Sequence, residues 1–423
     1  MSENATSIGW PTVSFGEFAS LRNGLNFDRN GAGDPVRIVG VGDFQQRAAI
    51  YSVDELEAVK PNQPLGSDDL LRLGDLLFVR SNGNKALIGR CLSIEIDERA
   101  PVTFSGFTIR ARITDQRLDQ RYAKRLFSSS VFKNRLHTEG GGSNISNLNQ
   151  RTLEGFEFAL PPLPEQRRIA AVLDAWDGAI ATAERLVAAK RRRRDGTLAE
   201  VFAPAVNETA SDTWSTMPIS ELADVVGGGT PSTTDEAFWG GDVPWCTPTD
   251  VTALASRYIE QTERTITESA LRASAAELLP PNSIVLCSRA SVGECAINTV
   301  PMATNQGFQS LVPHRPGDAL FLFYLVRAIK RRLLRVSAGS TFLEFGRGEL
   351  RKLTVAAPGD NERTKIGETF AFIDDDIDAT ETLAQALRTQ KRGLMQKLLT
   401  GEWRVPESID ALVPEGAARD AAE

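Results

Sequence analysis

The chain has 423 residues, 41% of them hydrophobic and 24% charged, with a formal net charge of −7. That length accommodates two globular domains of roughly 150 residues each plus two helices of about 40. No stretch reaches the roughly 20 apolar residues of a membrane span, and the segment MSENATSIGW has neither a basic region nor an apolar run, so a cytoplasmic protein is expected. Cys91, Cys246, Cys287 and Cys295 form no CxxC pair, and only His137 and His314 are available to complete a site; reduced core cysteines and no metal are expected.

Net negative charge taken alone counts against nucleic acid, but the charge is unevenly spread. The tail from Gly401 to Glu423 carries six acids and two arginines. Between Arg110 and Arg151 there are nine Arg or Lys against three acids, and between Arg327 and Lys352 eight against two. Two basic windows at equivalent places in the chain argue for a duplicated patch rather than a randomly solvated face.

Taken in chain order, apolar runs at residues 36–43, 75–80 and 107–112 read as strands separated by turn residues. A helical segment from about residue 117 to 136 follows, then the loop 140–149 (GGGSNISNLN), then a strand at 156–160. A long helix begins near Pro164, with Glu165 at the positive end of its dipole, and is expected to stop at Pro204. The order then repeats: strands at 283–287 and 307–312, a helix near 320–336, the loop 338–341, and a second long helix capped by Asp360 and ending at Gly401. These are the elements of an α+β domain, used twice.

The repeat is explicit at an offset of 197 residues, where residues 161–202 match 358–399 without gaps at ten identities in 42. The apolar phase persuades more than identity. Ile169, Leu173, Trp176 and Ile180 fall opposite Ile366, Phe370, Ile373 and Ile377, and these eight residues are the expected helix-helix seam. Further upstream the offset drifts to about 201, where Gly106-Phe107 is set against Gly307-Phe308. Two helices with matching seams most economically pair with each other; run antiparallel, they separate two globular units related by a pseudo-twofold. The alternative is that each helix packs on its own domain. The Lys190 to Arg194 run reads either as solvated surface or as a phosphate or partner contact, and Asp374-Asp375-Asp376 as solvated or partner-facing.

Two loops in each copy carry chemistry suited to nucleic acid. Arg80, Ser81, Asn82, Asn84 and Lys85 follow one strand, and Ser288, Arg289 and Ser291 follow its counterpart. Arginine can read guanine and asparagine adenine with paired hydrogen bonds, while serine and lysine hold phosphates. The Gly-Ser loops add Ser143, Asn144, Asn147, Asn149 and Arg151 in one copy and Ser340, Thr341 and Arg347 in the other. There is no GxxxxGK[ST] phosphate loop and no Asn-Pro-Pro-aromatic motif, and the Gly40-Val-Gly42 and Gly227-Gly-Gly229 clusters lack the spacing of a dinucleotide site. With two histidines a Ser-His-Asp engine has little to work with, and no catalytic residue is expected.

Through Pro161-Pro-Leu-Pro-Glu-Gln-Arg-Arg-Ile169, the helix after it, the Gly-Ser loop and Leu153-x-x-Phe156, the chain resembles the specificity subunit of type I restriction-modification systems. The resemblance implies two target recognition domains (residues 1–160 and 205–357), each binding half of a split site in double-stranded DNA. It implies central and distal helices (161–204 and 358–401) that run antiparallel, set the spacing and dock a pair of methyltransferase subunits, with residues 402–423 an acidic tail. It further implies restriction translocase/nuclease partners, with S-adenosylmethionine, ATP and Mg used by the partners and no cofactor held by this chain. Arg363 stands where the first copy has Gln166, which argues against a symmetric contact at the two helix starts while leaving the seam undisturbed. Two other classes compete: a free-standing methyltransferase or nuclease, which would act on DNA alone, and a coiled-coil scaffold binding only protein.

Overall fold

The computed structural model describes residues 9–27, 33–45, 47–61, 64–96, 101–139, 147–337 and 344–412. The chain divides into two compact units, residues 1–182 with 384–423 and residues 183–383. The division falls inside both long helices, so each unit owns one half of each.

The first unit has a five-stranded sheet in the order Ala19–Asn23, Thr108–Ile113, Leu76–Val79, Cys91–Ile94, Ala49–Ile50. A three-stranded sheet (Glu57–Val59, Val36–Val39, Val102–Phe104) and the pair Thr12–Ser14 with Glu157–Ala159 complete it. The second unit repeats this order strand for strand. Its five-stranded sheet runs Ala223–Gly227, Gln309–Pro313, Ile284–Leu286, Cys295–Asn298, Tyr258–Ile259, beside Arg264–Ile266, Trp239–Cys246, Ala303–Thr304 and the pair Trp214–Pro218 with Thr354–Pro358. Parallel pairing recurs at the same two places in each copy. The α+β expectation holds, twice over.

Close chain approach requires glycine at one equivalent place in each unit. A Cβ on Gly24 would lie 2.2 Å from the Ser105 carbonyl oxygen, and one on Gly228 only 1.9 Å from that of Asn305. Both positions directly follow the first strand of their sheet, and only glycine fits there.

The helix expected over 117–136 is two helices, Gln120–Ser128 and Ser130–Glu139. Buried Ser129 breaks it: its hydroxyl donates to the Leu126 carbonyl at 2.5 Å and accepts from the Phe132 amide at 3.3 Å. The break lets Phe127 and Phe132 meet edge to face at 5.1 Å in a core with Phe15, Phe78, Phe156 and Phe158. The second unit breaks likewise, between Ala319–Ala328 and Lys330–Ser337.

The long helices run Leu163–Val201 and Asp360–Leu399, 39 and 40 residues. The first of them stops at Val201, three residues before Pro204, and a short helix, Ala203–Asn207, follows. Pro204 sits in the first turn of that short helix, where proline's missing N–H costs nothing. Asp360 is the first helical residue rather than the cap; its carboxylate takes Arg363 at 2.6 Å and Arg315 at 2.9 Å.

In each unit the two half-helices are antiparallel. In the first, Glu165 pairs with Arg404 and Asp177 with Lys391, both at 2.5 Å. In the second, Lys190 pairs with Asp376 at 2.7 Å, Arg194 with Asp374 at 2.6 Å, and Arg191 with Glu381. Three of the five cations in the Lys190 to Arg194 run thus face the second helix's acids, while Arg192 and Arg193 are exposed and Asp375 pairs with Arg257 of the domain. The seam residues divide their work. Ile169 and Leu173 are fully buried in the first unit's core with Leu398 and Leu399, and Phe370 lies in the second unit's core with Phe202; Ile366 and Ile373 pack partly buried against it. Ile180 and Ile377 are buried, and Trp176 is half-buried. The stripe therefore serves helix pairing and each domain's core at once, so pairing and packing on the domain are both true.

One carboxylate in each unit ties three elements together. Asp177 accepts from Arg125 of the Gln120–Ser128 helix at 2.5 Å and from Lys391. Asp374, 197 residues on, accepts from Tyr324 of the Ala319–Ala328 helix at 2.7 Å and from Arg194. Asp174 reinforces the first copy through Arg121 and Arg125. Burial works against its ionisation, yet the hydrogen bonds from the two guanidiniums hold its carboxyl below the usual range.

The helix starts keep one contact with different chemistry. Gln166 is buried; its side-chain amide donates to the carbonyls of Arg117 (2.8 Å) and Pro161 (2.9 Å), and its Oε1 accepts from the Asp119 amide at 2.8 Å. Arg363 likewise donates to the Pro358 carbonyl at 3.0 Å, but meets Asp318 through its carboxylate at 2.9 Å. The bond to the proline carbonyl is thus common to both copies, and the partner aspartate is met through different groups. Asp119 is left to cap its own helix by accepting from the Tyr122 amide at 3.0 Å, whereas Asp318 makes no cap bond and spends its charge on Arg363.

Two outcomes follow. Arg363→Ala leaves the buried Asp318 carboxylate with no cation nearer than Arg315 at 3.9 Å and should lower the second unit's stability by about 3–5 kcal/mol. Arg363→Gln should cost clearly less, because glutamine can still reach Pro358 and Asp318 can turn to cap its helix; equal losses in chemical denaturation would defeat the account. For Asp174 the folded pKa is depressed, so its stabilisation is full above the unfolded value near 3.9 and fades as pH falls through the folded one. Hydrogen exchange in the Gln120–Ser128 helix should therefore separate wild type from Asp174→Asn at neutral pH, with the gap closing below about pH 4.

Candidate nucleic-acid interface

Arg80 follows the strand Leu76–Val79, and its backbone is held on both sides. Its amide donates to the Phe107 carbonyl and its carbonyl accepts from the Leu148 amide, each at 2.8 Å. The second bond joins the two loops picked out by sequence, residues 80–85 and 147–151. In the first, Asn82 Oδ1 accepts from the Asn84 amide at 2.7 Å and Asn84 Oδ1 from the Ala86 amide at 3.1 Å, which orients both side chains on a tight turn. Asn84 and Lys85 are exposed, and Ser81 and Asn82 half-buried. In the second, Asn149 caps the helix Gln150–Glu154 through the Thr152 amide at 2.9 Å and leaves Asn147 and Arg151 exposed. Asn23, Arg80, Asn149, Gln150, Arg151 and Glu154 line a cleft of about 470 Å³. Ser143 and Asn144 lie outside the described residues.

The second unit makes the same tie with different residues. The Ser288 amide donates to the Gly307 carbonyl at 2.8 Å, and its carbonyl accepts from the Phe345 amide at 3.2 Å. Ser288 itself, expected to contact DNA, is fully buried with its hydroxyl unpartnered, so it supports the loop rather than presenting it. Arg289 is half-buried beside Gly307, Ala290 turns the chain at φ +60°, and Ser291 is half-buried. Arg347 is exposed, 4.0 Å from Glu277. Ser340 and Thr341 lie outside the described residues.

These hydrogen bonds also correct the alignment. Phe107 and Gly307 each accept from the residue after the equivalent strand, so the offset here is 200, not 201. Phe308, set against Phe107 by sequence, is fully buried, while Phe107 is 56% exposed.

The basic windows need a second correction. Arg112 is bound by Asp75 at 2.7 Å, Lys124 by Glu95 at 2.6 Å, and Arg121 and Arg125 by Asp174; Arg135 donates to the Glu157 carbonyl at 3.0 Å. Arg110 is 3% exposed, and its burial, with Arg112 nearby, holds its pKa below the ordinary value. In the second window Lys330 meets Glu294 at 2.5 Å, and buried Arg332 donates to the carbonyls of Ala205 (2.6 Å) and Thr354 (2.7 Å). The first window mostly holds the fold, with Arg117, Arg135 and Arg151 exposed; in the second only Lys330 and Arg332 do so, and Arg327, Arg331, Arg335, Arg347, Arg351 and Lys352 are exposed.

Sequence reasoning missed that Asn23 and Gln150 line the cleft and that Phe107 is exposed. Asn23 ends a strand too polar to stand out (ASLRN), and the one-residue misalignment hid Phe107. The second unit also holds a larger cleft of about 1130 Å³, walled by Arg194, Arg257, Arg327, Glu294, Asp374 and Asp378 among others, and lined by none of the predicted loop residues. Burial, then the neighbouring Asp374 and Glu381, pushes the Asp378 carboxyl up. The four cysteines are free thiols; burial raises all four, Cys287 and Cys295 to about 12, which keeps them protonated and inert. Among the described residues no helix is long and apolar enough to cross a membrane.

Residues 96–189 and 211–389, more than half of the chain, match the family described as type I restriction modification DNA specificity domain. The type I restriction enzyme MjaIX specificity subunit of Methanocaldococcus jannaschii is 36% identical over 167 residues, a match covering 39% of this chain and 39% of that protein. Among solved structures, a chain from a study of complex assembly and conformational transition of the type I R-M system matches at a TM-score of 0.63 and 17% identity, covering 94% of this chain and 99% of that one. The HsdS subunit from Thermoanaerobacter tengcongensis matches at 0.54 and 16%, covering 94% and 98%. At those identities the likeness is one of fold.

Only the backbone of Arg80 enters the hydrogen bonds that build the loop. Arg80→Ala should therefore weaken binding to a duplex by roughly 1–3 kcal/mol while leaving the thermal midpoint in place. Fluorescence anisotropy over a salt series measures it, and unchanged affinity would remove Arg80 from the interface.

Proposed function

The chain belongs to the type I restriction modification DNA specificity family, and from that membership we propose that it is the non-catalytic, sequence-reading subunit of a type I restriction-modification complex. Residues 9–158 and 213–357 each read one half of a bipartite site in double-stranded DNA. The long helices set the distance between the halves and dock a pair of methyltransferase subunits, to which restriction translocase/nuclease subunits add. S-adenosylmethionine, ATP and Mg are used by those partners.

The observation that carries this reading is the repeated loop tie. Leu148 to Arg80 and Phe345 to Ser288 are the same backbone bond in two copies of one scaffold. The side chains around them differ: Arg80, Asn82, Asn84 and Arg151 in one, Arg289, Ser291 and Arg347 in the other. A common frame with unlike tips suits two half-sites of unlike sequence, because positioning is left to the frame and base reading to the tips.

The test is to co-express the chain with its methyltransferase partner and map methylated adenines across the host genome. A bipartite motif is expected, and exchanging residues 9–158 for those of another family member should change one half only. With an active partner in a stable complex, absence of any motif that depends on this chain would defeat the reading in favour of a protein-binding scaffold.

A further inference from the structure

Phe107 is a large apolar ring left 56% exposed at the tip of a tight turn. Single exposed apolar residues are ordinary and need no explanation. Three observations set this one apart.

The first is rigidity. The Phe107 carbonyl accepts from the amides of Arg80 (2.8 Å) and Ser81 (3.4 Å); the Gly106 amide donates to the Leu25 carbonyl at 2.7 Å, and the Thr108 amide to that of Ser105 at 2.8 Å. The Phe107 amide is taken by the Ser105 hydroxyl at 3.3 Å. A Cβ on Gly106 would lie 2.2 Å from Asn26 Oδ1, so the turn is also packed from below. A ring on such a base loses little freedom when it binds.

The second is placement. Phe107 precedes the strand Thr108–Ile113, which runs antiparallel to both Ala19–Asn23 and Leu76–Val79. Phe107, Asn23 and Arg80 therefore share one end of these three strands, beside the cleft that Arg80 and Asn23 line with Asn149 and Arg151. The third is dispensability: the second unit builds the equivalent turn with Gly307, accepting the same backbone bond, so the fold does not require a phenyl ring there.

We propose that Phe107 is an apolar wedge that packs against a base step of the half-site read by the first unit, with Arg80 and Arg151 supplying the flanking polar contacts. Phenyl groups inserted at a base step partly unstack it and select for steps that deform easily. The inference rests on the reading of the chain as a DNA-reading subunit and adds to it that the two units read by different means, the first with a wedge and the second without.

The test uses the full chain and a pool of randomised double-stranded DNA, comparing wild type, Phe107→Ala, Phe107→Leu and Arg80→Ala. Wild type should enrich a bipartite motif. Phe107→Ala should lose the preference at one step of one half and bind the wild-type consensus roughly ten-fold less tightly, with the salt dependence and thermal midpoint unchanged, because the ring touches no phosphate. Phe107→Leu should recover much of the loss. A 2-aminopurine placed at the affected step should brighten with wild type and stay dark with Phe107→Ala. If Phe107→Ala selects the same motif with the same affinity while Arg80→Ala binds less tightly, the wedge is wrong and the DNA reading stands. A fall in thermal midpoint or in both half-sites would make the ring structural and overturn the proposal; if wild type enriches nothing, the proposal fails together with the reading beneath it.

Discussion

A carboxylate shared between a globular domain and a helix pair is the constraint on which each unit depends. A helix of 39 residues with one apolar stripe cannot bury it alone, and in each unit that stripe is divided between a partner helix and the domain core. Apolar contact is not directional and would allow the helices to slide by a turn against either neighbour. Asp177 and Asp374 forbid that, because each accepts at once from the domain's helix and from the opposing long helix. The ion pairs add modest energy where they are part-exposed; what they specify is register.

The two copies then show which parts of the plan are fixed in chemistry and which only in geometry. Arg125 and Lys391 around one aspartate become Tyr324 and Arg194 around the other, and Gln166 with Asp119 becomes Arg363 with Asp318. Each exchange is compensated locally, because a buried donor or charge without its partner costs more than the pair contributes. At the loop ends the fixed contacts are made by backbone atoms alone, so the side chains there can diverge with no consequence for the frame.

How much of this the amino-acid pattern disclosed depended on whether a signal is local. The long helices, their pairing and the duplication were legible because 3.6-residue periodicity and a gapless offset are properties of the chain itself. Strands of two or three residues such as Ala49–Ile50 and Ala303–Thr304 carry no readable alternation. The first basic window misled for a related reason: Arg125 is drawn inward by Asp174, a partner distant in sequence, as Arg332 alone is in the second window by the Ala205 and Thr354 carbonyls. That Ser288 is buried and Phe107 exposed was not legible, since burial at a strand end turns on one residue of register. The clamp left a trace that was passed over, as Asp177 and Asp374 are among the ten identities of the repeat.

The division of the chain has a consequence for how the protein is made. The second unit is one uninterrupted stretch, residues 183–383, and everything its core needs has been synthesised once that stretch is complete. The first unit draws Leu398, Leu399 and Val405 into a core otherwise built from residues 10–173. On the ribosome the domain synthesised first must therefore wait, with part of its apolar core open, until residues 384–405 emerge to close it. Domains generally fold in order of synthesis; here the order of completion is reversed, and Trp10, covered in the finished protein by Gly401 and Arg404, stays open through most of translation.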